Sequence, residues 1–366
     1  MSDVNTLVDS KVSASGEAKS LAIEKYNGQV KRAYSTDPSM MQYFDLEMVT
    51  GTNVVSNKYL GTTEVQALAA GKDVRGASAE FDKNSLVIDT TIMARNVVGM
   101  LDDVQDDIQT KGKLAEEQVR AIKNLENRML LQQGVYGAVE NTSTKRGGKP
   151  RVKGHGFSVV KGIKEADASL LPLKLMAGIE FLIEEQMIQD VDPSMLTIFM
   201  PWVEFNCLRD AERIVDARYN TASGTTVTGF VLKSFNIPII PTNHFPKKAR
   251  DHSDIDGEDN AHHILSNASN GYRYDVATGV DGGDHEKAAA LVIGREGLLV
   301  GRSIDLQGKI WFNDANKSWY IDSWMSEGAI PDRWEHLSVL MKTTADSAGL
   351  EARYKRKITQ TTNVTV

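Results

Sequence analysis

The sequence predicts an α+β fold with a projecting arm, on three observations. A long polar excursion, 56–83, is framed by extended stretches. A long amphipathic helix follows it, and from residue 169 helices and strands alternate as in a mixed α/β unit. The chain of 366 residues is long enough for two or three domains. Apolar residues make up 41%, and the 29 glycines bring that share to about half, which is ordinary for a globular core.

Residues 1–40 are polar with scattered apolar positions and read as an extended or partly helical arm. In the return from the excursion, Leu86, Ile88, Thr90 and Ile92 alternate with Val87, Asp89, Thr91 and Met93, the pattern of one strand with one buried face. A two-stranded ribbon is marginal in water unless something covers it, so we expect this one to pack on a neighbouring molecule rather than on its own chain. At its tip, glycines 61, 71 and 76 permit turns with positive φ, and the charges between them suit a rim that meets another rim. The alternative for the tip is a solvated surface loop.

Over 102–138, Ala115, Val119, Ile122, Leu125 and Met129 recur at intervals of three and four, which is one face of a helix. Gly134 and Gly137 read as its fading end, and the Gly, Lys, Arg and Pro of 141–156 as a loop at a domain boundary. Helices are then expected at 175–189 and 202–218, the second opened by Pro201, with a buried strand at 195–200 between them. Strands at 228–235 and 237–240 flank a bend at Asn236, and an insertion rich in Asp and Gly occupies 247–287. The fold resumes at 288–300, with further strands at 310–312, 319–325 and 337–341.

Charge and cysteine usage narrow the function classes. The chain has 42 basic and 49 acidic residues, a net charge of -7, which argues against a dedicated nucleic-acid binder with a domain-wide positive field. Cys207 is the only cysteine, so no intrachain disulfide and no cysteine-based zinc site can form. Residues 1–19 lack the basic start and apolar stretch of a signal peptide. Lys174 and Glu180 interrupt the longest candidate membrane run, so a soluble protein is expected.

No group stands out as catalytic. His252, His262 and His263 lie among Asp251, Asp254, Asp256 and Asp259, with His244 and His285 on either side, but their spacing fits no metal motif and a solvated, metal-free loop is the better reading. Lys145, Arg146, Lys149, Arg151 and Lys153 could touch phosphates, yet no aromatic residue interleaves, and a solvated loop is again favoured. The glycines at 294, 297 and 301 match no dinucleotide or phosphate loop and read as turns beside a strand. Cys207, beside Phe205 and Leu208 on a helix, reads as a buried inert thiol. No cofactor, metal or catalytic residue is assigned.

The order of these elements resembles the major capsid proteins of tailed bacteriophages, in particular the short-tailed podophages, whose fold is the Hong Kong 97-type capsid fold. Tyr59-Leu60-Gly61 through Ala69-Ala70-Gly71 is similar to the extended loop of those shells, and Leu86-Val87-Ile88-Asp89 to its returning strand. The helix of 102–138 stands where the family has its spine helix. The run 229–246, with Phe235-Asn236-Ile237-Pro238 and Asn243-His244-Phe245-Pro246, is similar to the strand pair of the axial domain. The stretch 324–340 is similar to the closing strand, with Gly328, Arg333 and Glu335 matching the family's glycine, arginine and glutamate, although Trp334 stands where relatives often carry proline. The tail from Thr343 extends beyond the pattern.

The resemblance implies an N-terminal arm at 1–50, an extended loop with its flanking strands at 51–94, and a peripheral domain with the spine helix at 95–168. An axial domain at 169–325 would carry the 247–287 insertion, and 326–366 would return to the peripheral domain and end in the tail. It also implies self-assembly into pentamers and hexamers of an icosahedral head enclosing double-stranded DNA, with a scaffolding protein and a portal as partners. The protein would be assembled in the host cytoplasm, located in the virion, and without membrane contact or enzymatic activity. Intersubunit contacts are expected from Glu64, Lys72, Asp73 and Arg75 at the tip and from Arg333 with Glu335. Nothing identifies a lysine–asparagine pair for covalent joining of subunits. The rival readings are an encapsulin-like compartment shell and a metal-dependent enzyme using the His/Asp insertion.

Overall fold

The computed structural model describes residues 40–63, 65–67, 70–71, 73, 76, 78–100, 110–210, 214–220, 226–232, 236–246 and 285–363. Thirteen strands and five helices appear among them: β1 (Leu46–Met48), β2 (Val54–Leu60), β3 (Phe81–Val87), β4 (Ile92–Gly99), α1 (Thr110–Glu140), β5 (Val159–Lys164), α2 (Glu165–Leu170), α3 (Pro172–Ile188), β6 (Leu196–Met200), α4 (Trp202–Asp210), β7 (Ile214–Asn220), β8 (Thr226–Leu232), β9 (Ile237–Pro241), β10 (Ala288–Gly294), β11 (Leu298–Asn313), β12 (Ser318–Pro331), β13 (Leu337–Thr343) and α5 (Leu350–Asn363). They form two compact units. One contains Asp89–Glu126 and Arg302–Glu327, the other Met40–Ile88, Asn127–Gly301 and Gly328–Val366.

In the smaller unit β12 pairs antiparallel with β4, from Ser318 opposite Gly99 to Met325 opposite Ile92. Directly opposed residues share a face. The face carrying Ile321, Ser323 and Met325 is buried, as are Ala115, Val119 and Ile122 of α1. Gln118 ties this helix to the sheet: its amide donates to Asn96 Oδ1 (2.6 Å) and to the Ile321 carbonyl (2.8 Å), and it accepts from Ser323 Oγ (2.7 Å). On the opposite face Arg95 makes a two-point ion pair with Asp322, its register partner, at 2.7 and 2.9 Å.

The larger unit is built on a seven-stranded mixed sheet in the order β5-β13-β10-β6-β9-β8-β7. β10 is buried along its whole length because both faces of the sheet are covered, which explains its uninterrupted apolar run. Ala290 and Val292 face the core made with Leu175, Ile179 and Leu182 of α3. Leu291 and Ile293 face Gly134 of α1. A smaller core of Val55, Leu86, Ile88 and Leu299 lies at the root of a separate two-stranded ribbon, β2–β3. A Cβ at Gly301 would fall 2.6 Å from Val55 Cγ2, so that glycine makes room for the ribbon's root.

Several sequence expectations change. The alternation over 86–92 is real in burial, with Leu86, Ile88 and Ile92 at 0, 4 and 6% exposure. Hydrogen bonding nevertheless divides it into β3, which pairs with β2, and β4, which pairs with β12. The expected helix at 202–218 stops at Asp210, and Ile214–Asn220 is instead a strand in a hairpin with β8. β-Branched Ile214 and Val215 suit that strand, and sheet pairing overrides the helical periodicity. Gly134 and Gly137 do not mark the end of α1, which continues to Glu140; a Cβ at Gly134 would collide with Leu291 of β10, and one at Gly137 with Pro331 of β12 and Leu337 of β13. Nor does the ribbon stand clear of its own chain, since its root packs against it. The expected long helix begins at Thr110 in the described residues, and the C-terminal tail contains helix α5.

Candidate functional site

β2 and β3 pair without a bulge from Val54 opposite Val87 to Leu60 opposite Phe81. In this register Asn57 stands directly opposite Asn84. Both amides point to one acceptor. Asn57 Nδ2 donates to Asp332 Oδ2 (2.7 Å), and Asn84 Nδ2 donates to Asp332 Oδ1 (2.9 Å) and to the Pro331 carbonyl (2.9 Å). Tyr59, two residues along β2 on the same face, donates its hydroxyl to Asp332 Oδ1. Asp332 and Tyr59 are each 3% exposed. Burial pushes the Asp332 carboxyl up to about 6, against the Asn57 hydrogen bond and the charge of Arg333, which lower it.

The basic loop contributes to the same site and is not simply solvated. The Arg151 guanidinium lies 4.7 Å from the ring centroid of Tyr59 and 4.7 Å from that of Trp334, and forms a 3.8 Å ion pair with Asp82 of β3. Burial lowers the Arg151 pKa from its ordinary value. Arg146 also lies over Trp334, at 4.7 Å. Trp334 is thus a platform for two arginines. The loop backbone reaches the ribbon as well: Thr62 N donates to the Lys153 carbonyl (2.8 Å), and Lys153 N donates to Glu80 Oε2 (2.9 Å).

Arg333 and Glu335 lie at this base. Arg333 Nε is 3.0 Å from Glu296 Oε2 and its Nη1 is 3.7 Å from Glu335 Oε1, while His155 Nδ1 is 3.4 Å from the same Glu335 oxygen. Glu335 is buried. Asp73 lies in the connection between the strands and is exposed. Glu64, Lys72 and Arg75 fall outside the described residues, as do the histidines and aspartates of the insertion from 247 to 284. Sequence reading missed Asn57, Asn84 and Asp332, and it named Tyr59 and Arg151 without the contacts they make here. A usable signal existed: position numbers in register on a bulge-free hairpin have a constant sum, so two asparagines meet once that register is known.

At the far end of the paired strands the chemistry changes from polar to apolar. Leu60 is 55% exposed, its partner Phe81 75%, and Val65 beyond them 99%. Among the described residues no group of three or more His, Cys, Asp or Glu side chains is arranged to hold a metal ion, and no helix is long and apolar enough to cross a membrane. The Cys207 thiol on α4 is pushed up chiefly by burial, away from the reactive thiolate.

No protein-family model matches the chain, and no curated protein matches its sequence. Its fold does have counterparts. The capsid structure of the cyanophage P-SCSP1u is 13% identical, with a TM-score of 0.64 over 84% of this chain and 89% of that one. The mature capsid of bacteriophage PhiM1 is 15% identical, with a TM-score of 0.60 over 85% of this chain and 89% of the other. The chain therefore has the mixed α+β fold of phage capsid subunits, the Hong Kong 97-type architecture.

Proposed function

We propose that this chain is the major capsid protein of a tailed bacteriophage, a structural subunit that self-assembles into pentamers and hexamers of an icosahedral head around double-stranded DNA. The observation that carries the reading is the ribbon, whose root is held by its own chain while its outer strand end presents Leu60 and Phe81 side by side to solvent. A stable monomer has no use for an exposed apolar pair on the outer face of a two-stranded ribbon, and a neighbouring subunit gives it one. The shared fold supports the same reading.

In this proposal Glu64, Lys72, Asp73 and Arg75 of the tip meet a neighbouring subunit, with Arg333 presenting its exposed side and Glu335 supporting it from below. Single exposed ion pairs contribute only about 0–1 kcal/mol each, so shell stability comes from area buried over several partners. A scaffolding protein and a portal are the expected accessory partners, and the host cytoplasm the site of assembly. The short-tailed podophage type rests on the sequence resemblance. No catalytic role is assigned to any residue.

Size-exclusion chromatography followed by negative-stain electron microscopy tests the proposal, with and without a co-expressed scaffold candidate. Shells, or rings of five and six subunits, are expected, and deletion of 63–75 is expected to leave folded capsomers that do not close. A monomer or dimer under every condition overturns the reading. Nucleic acid inside native particles separates a phage head from a compartment shell, which would instead co-purify with an enzyme.

A further inference from the structure

The ribbon is attached in three ways, one of them the contacts of the basic loop with Tyr59, Thr62, Glu80 and Asp82. Its root is an apolar contact of Val55 and Leu86 with Ile88 and Leu299, which carries no directional bond. Above that root is a polar lock: three donors from two strands, Asn57, Tyr59 and Asn84, share the single carboxylate of Asp332. The backbone of Asp332 is itself fixed, its N–H donating to the Gly297 carbonyl at 2.9 Å in the turn between β10 and β11. A slip of one residue in either strand would carry its asparagine to the opposite face and leave a buried carboxylate short of donors.

We propose that Asp332 is the positioning residue of the ribbon, setting the direction in which it leaves the subunit body and hence the geometry in which it meets a neighbour. The first half of this statement stands on the chain alone; the second rests on the capsid reading. The lock also responds to pH. Burial holds the Asp332 carboxyl near 6, and lifting the ribbon would hydrate it and return it towards its ordinary 3.8. The charged and titratable groups around it are Glu47, Tyr59, Arg151, His155, Arg333 and Glu335. A raised carboxyl value in the closed state means that the closed state binds the proton more tightly. Acid therefore holds the ribbon down, and closure weakens as the pH rises through about 6.

Hydrogen exchange on the unassembled full-length chain tests the lock without reference to shells. In D332A the amides of β2 and β3 are expected to exchange about tenfold faster or more, while those of β10 and β13 keep their wild-type protection. After correction for intrinsic rates, wild-type ribbon protection is expected to fall about tenfold between about pH 5 and pH 8, and D332N to show no such slope. Wild-type protection of the ribbon in D332A overturns the proposal. Should D332A fail to fold, a D332N profile with the wild-type slope overturns it as well. Particle yield by electron microscopy then separates the two readings. If wild type forms no shells, the capsid reading fails and the exchange result still decides the lock. If D332A loosens the ribbon and yet builds shells of wild-type size and yield, the role of ribbon direction in assembly is overturned.

Discussion

Arg302 and Glu327 meet on neighbouring strands as a fully buried ion pair, Nη2 to Oε2, at 2.8 Å. Glu126 of α1 approaches the same nitrogen at 3.8 Å, so two buried carboxylates face one guanidinium. Glu327 Oε1 has no hydrogen-bond donor among the described residues. Burial, and then the charge of Glu126, push the Glu327 carboxyl from its ordinary 4.5 up to about 8.

The folded protein therefore binds this proton more tightly than the unfolded chain does. The stabilisation is complete below about pH 4.5 and is lost as the pH rises through about 8. Urea denaturation is expected to show stability falling by on the order of 1–3 kcal/mol between about pH 5 and pH 9. Glu327→Gln, which fixes the neutral form, should remove most of that slope; an unchanged slope in the variant would locate the titration elsewhere.

Gly137→Ala should destabilise the protein although it improves helix propensity. In an open helix interior the exchange is worth about 1 kcal/mol in favour of alanine. Here a Cβ would fall 2.6 Å from Pro331 Cβ and 2.7 Å from Leu337 Cδ1, forcing α1 away from the sheet. A net loss of about 1–3 kcal/mol is expected in chemical denaturation. A gain would mean that the helix can shift at no cost.

Arg151→Lys should not behave as a conservative change. The planar guanidinium lies against both the Tyr59 and Trp334 rings, and a lysine ammonium cannot present two flat faces. A loss of about 1–2 kcal/mol is expected. The intrinsic fluorescence of the five tryptophans, followed through the urea transition, provides the measurement, with Arg151→Ala as the larger effect. Equal midpoints for wild type and lysine variant would reduce the stack to a coincidence of packing.

Helix α5 should be salt-sensitive. Among its described side chains Leu350 is buried, and charge joins the helix to α3: Glu351 with Lys174 at 3.4 Å, Arg353 with Glu184, and Lys357 with Glu180 at 2.5 Å, with Arg353 also over the Phe181 ring and Lys174 over that of Tyr354. Burial works against the charge of Lys174, but its hydrogen bonds to Asp167 and Asp346 win and hold its pKa above the ordinary lysine range. Each partly exposed pair contributes about 0–1 kcal/mol and is screened by salt. Raising the ionic strength from about 0.05 to about 0.5 M should speed tryptic cleavage within α5 several-fold, and Lys357→Glu should do so at low salt. Cleavage rates indifferent to salt would assign the docking to packing alone.

The sequence by itself determined the class of fold, the ribbon, the long helix behind it and the strand–helix alternation that follows. Each of these is written in local periodicity, as Leu86, Ile88 and Ile92 show by remaining on a buried face even where pairing changes partner. Tertiary structure decided where periodicity was ambiguous or where small and polar residues acquire partners far along the chain. It made 214–220 a strand, turned Gly137 from a helix end into a packing contact, and brought Asn57, Asn84 and Asp332 together across separations of up to 275 residues. The physical reason is that hydrophobic burial repeats with the geometry of an element and is visible in a short window. A buried hydrogen bond between distant residues has no period, and exists only once the folded chain has closed around it.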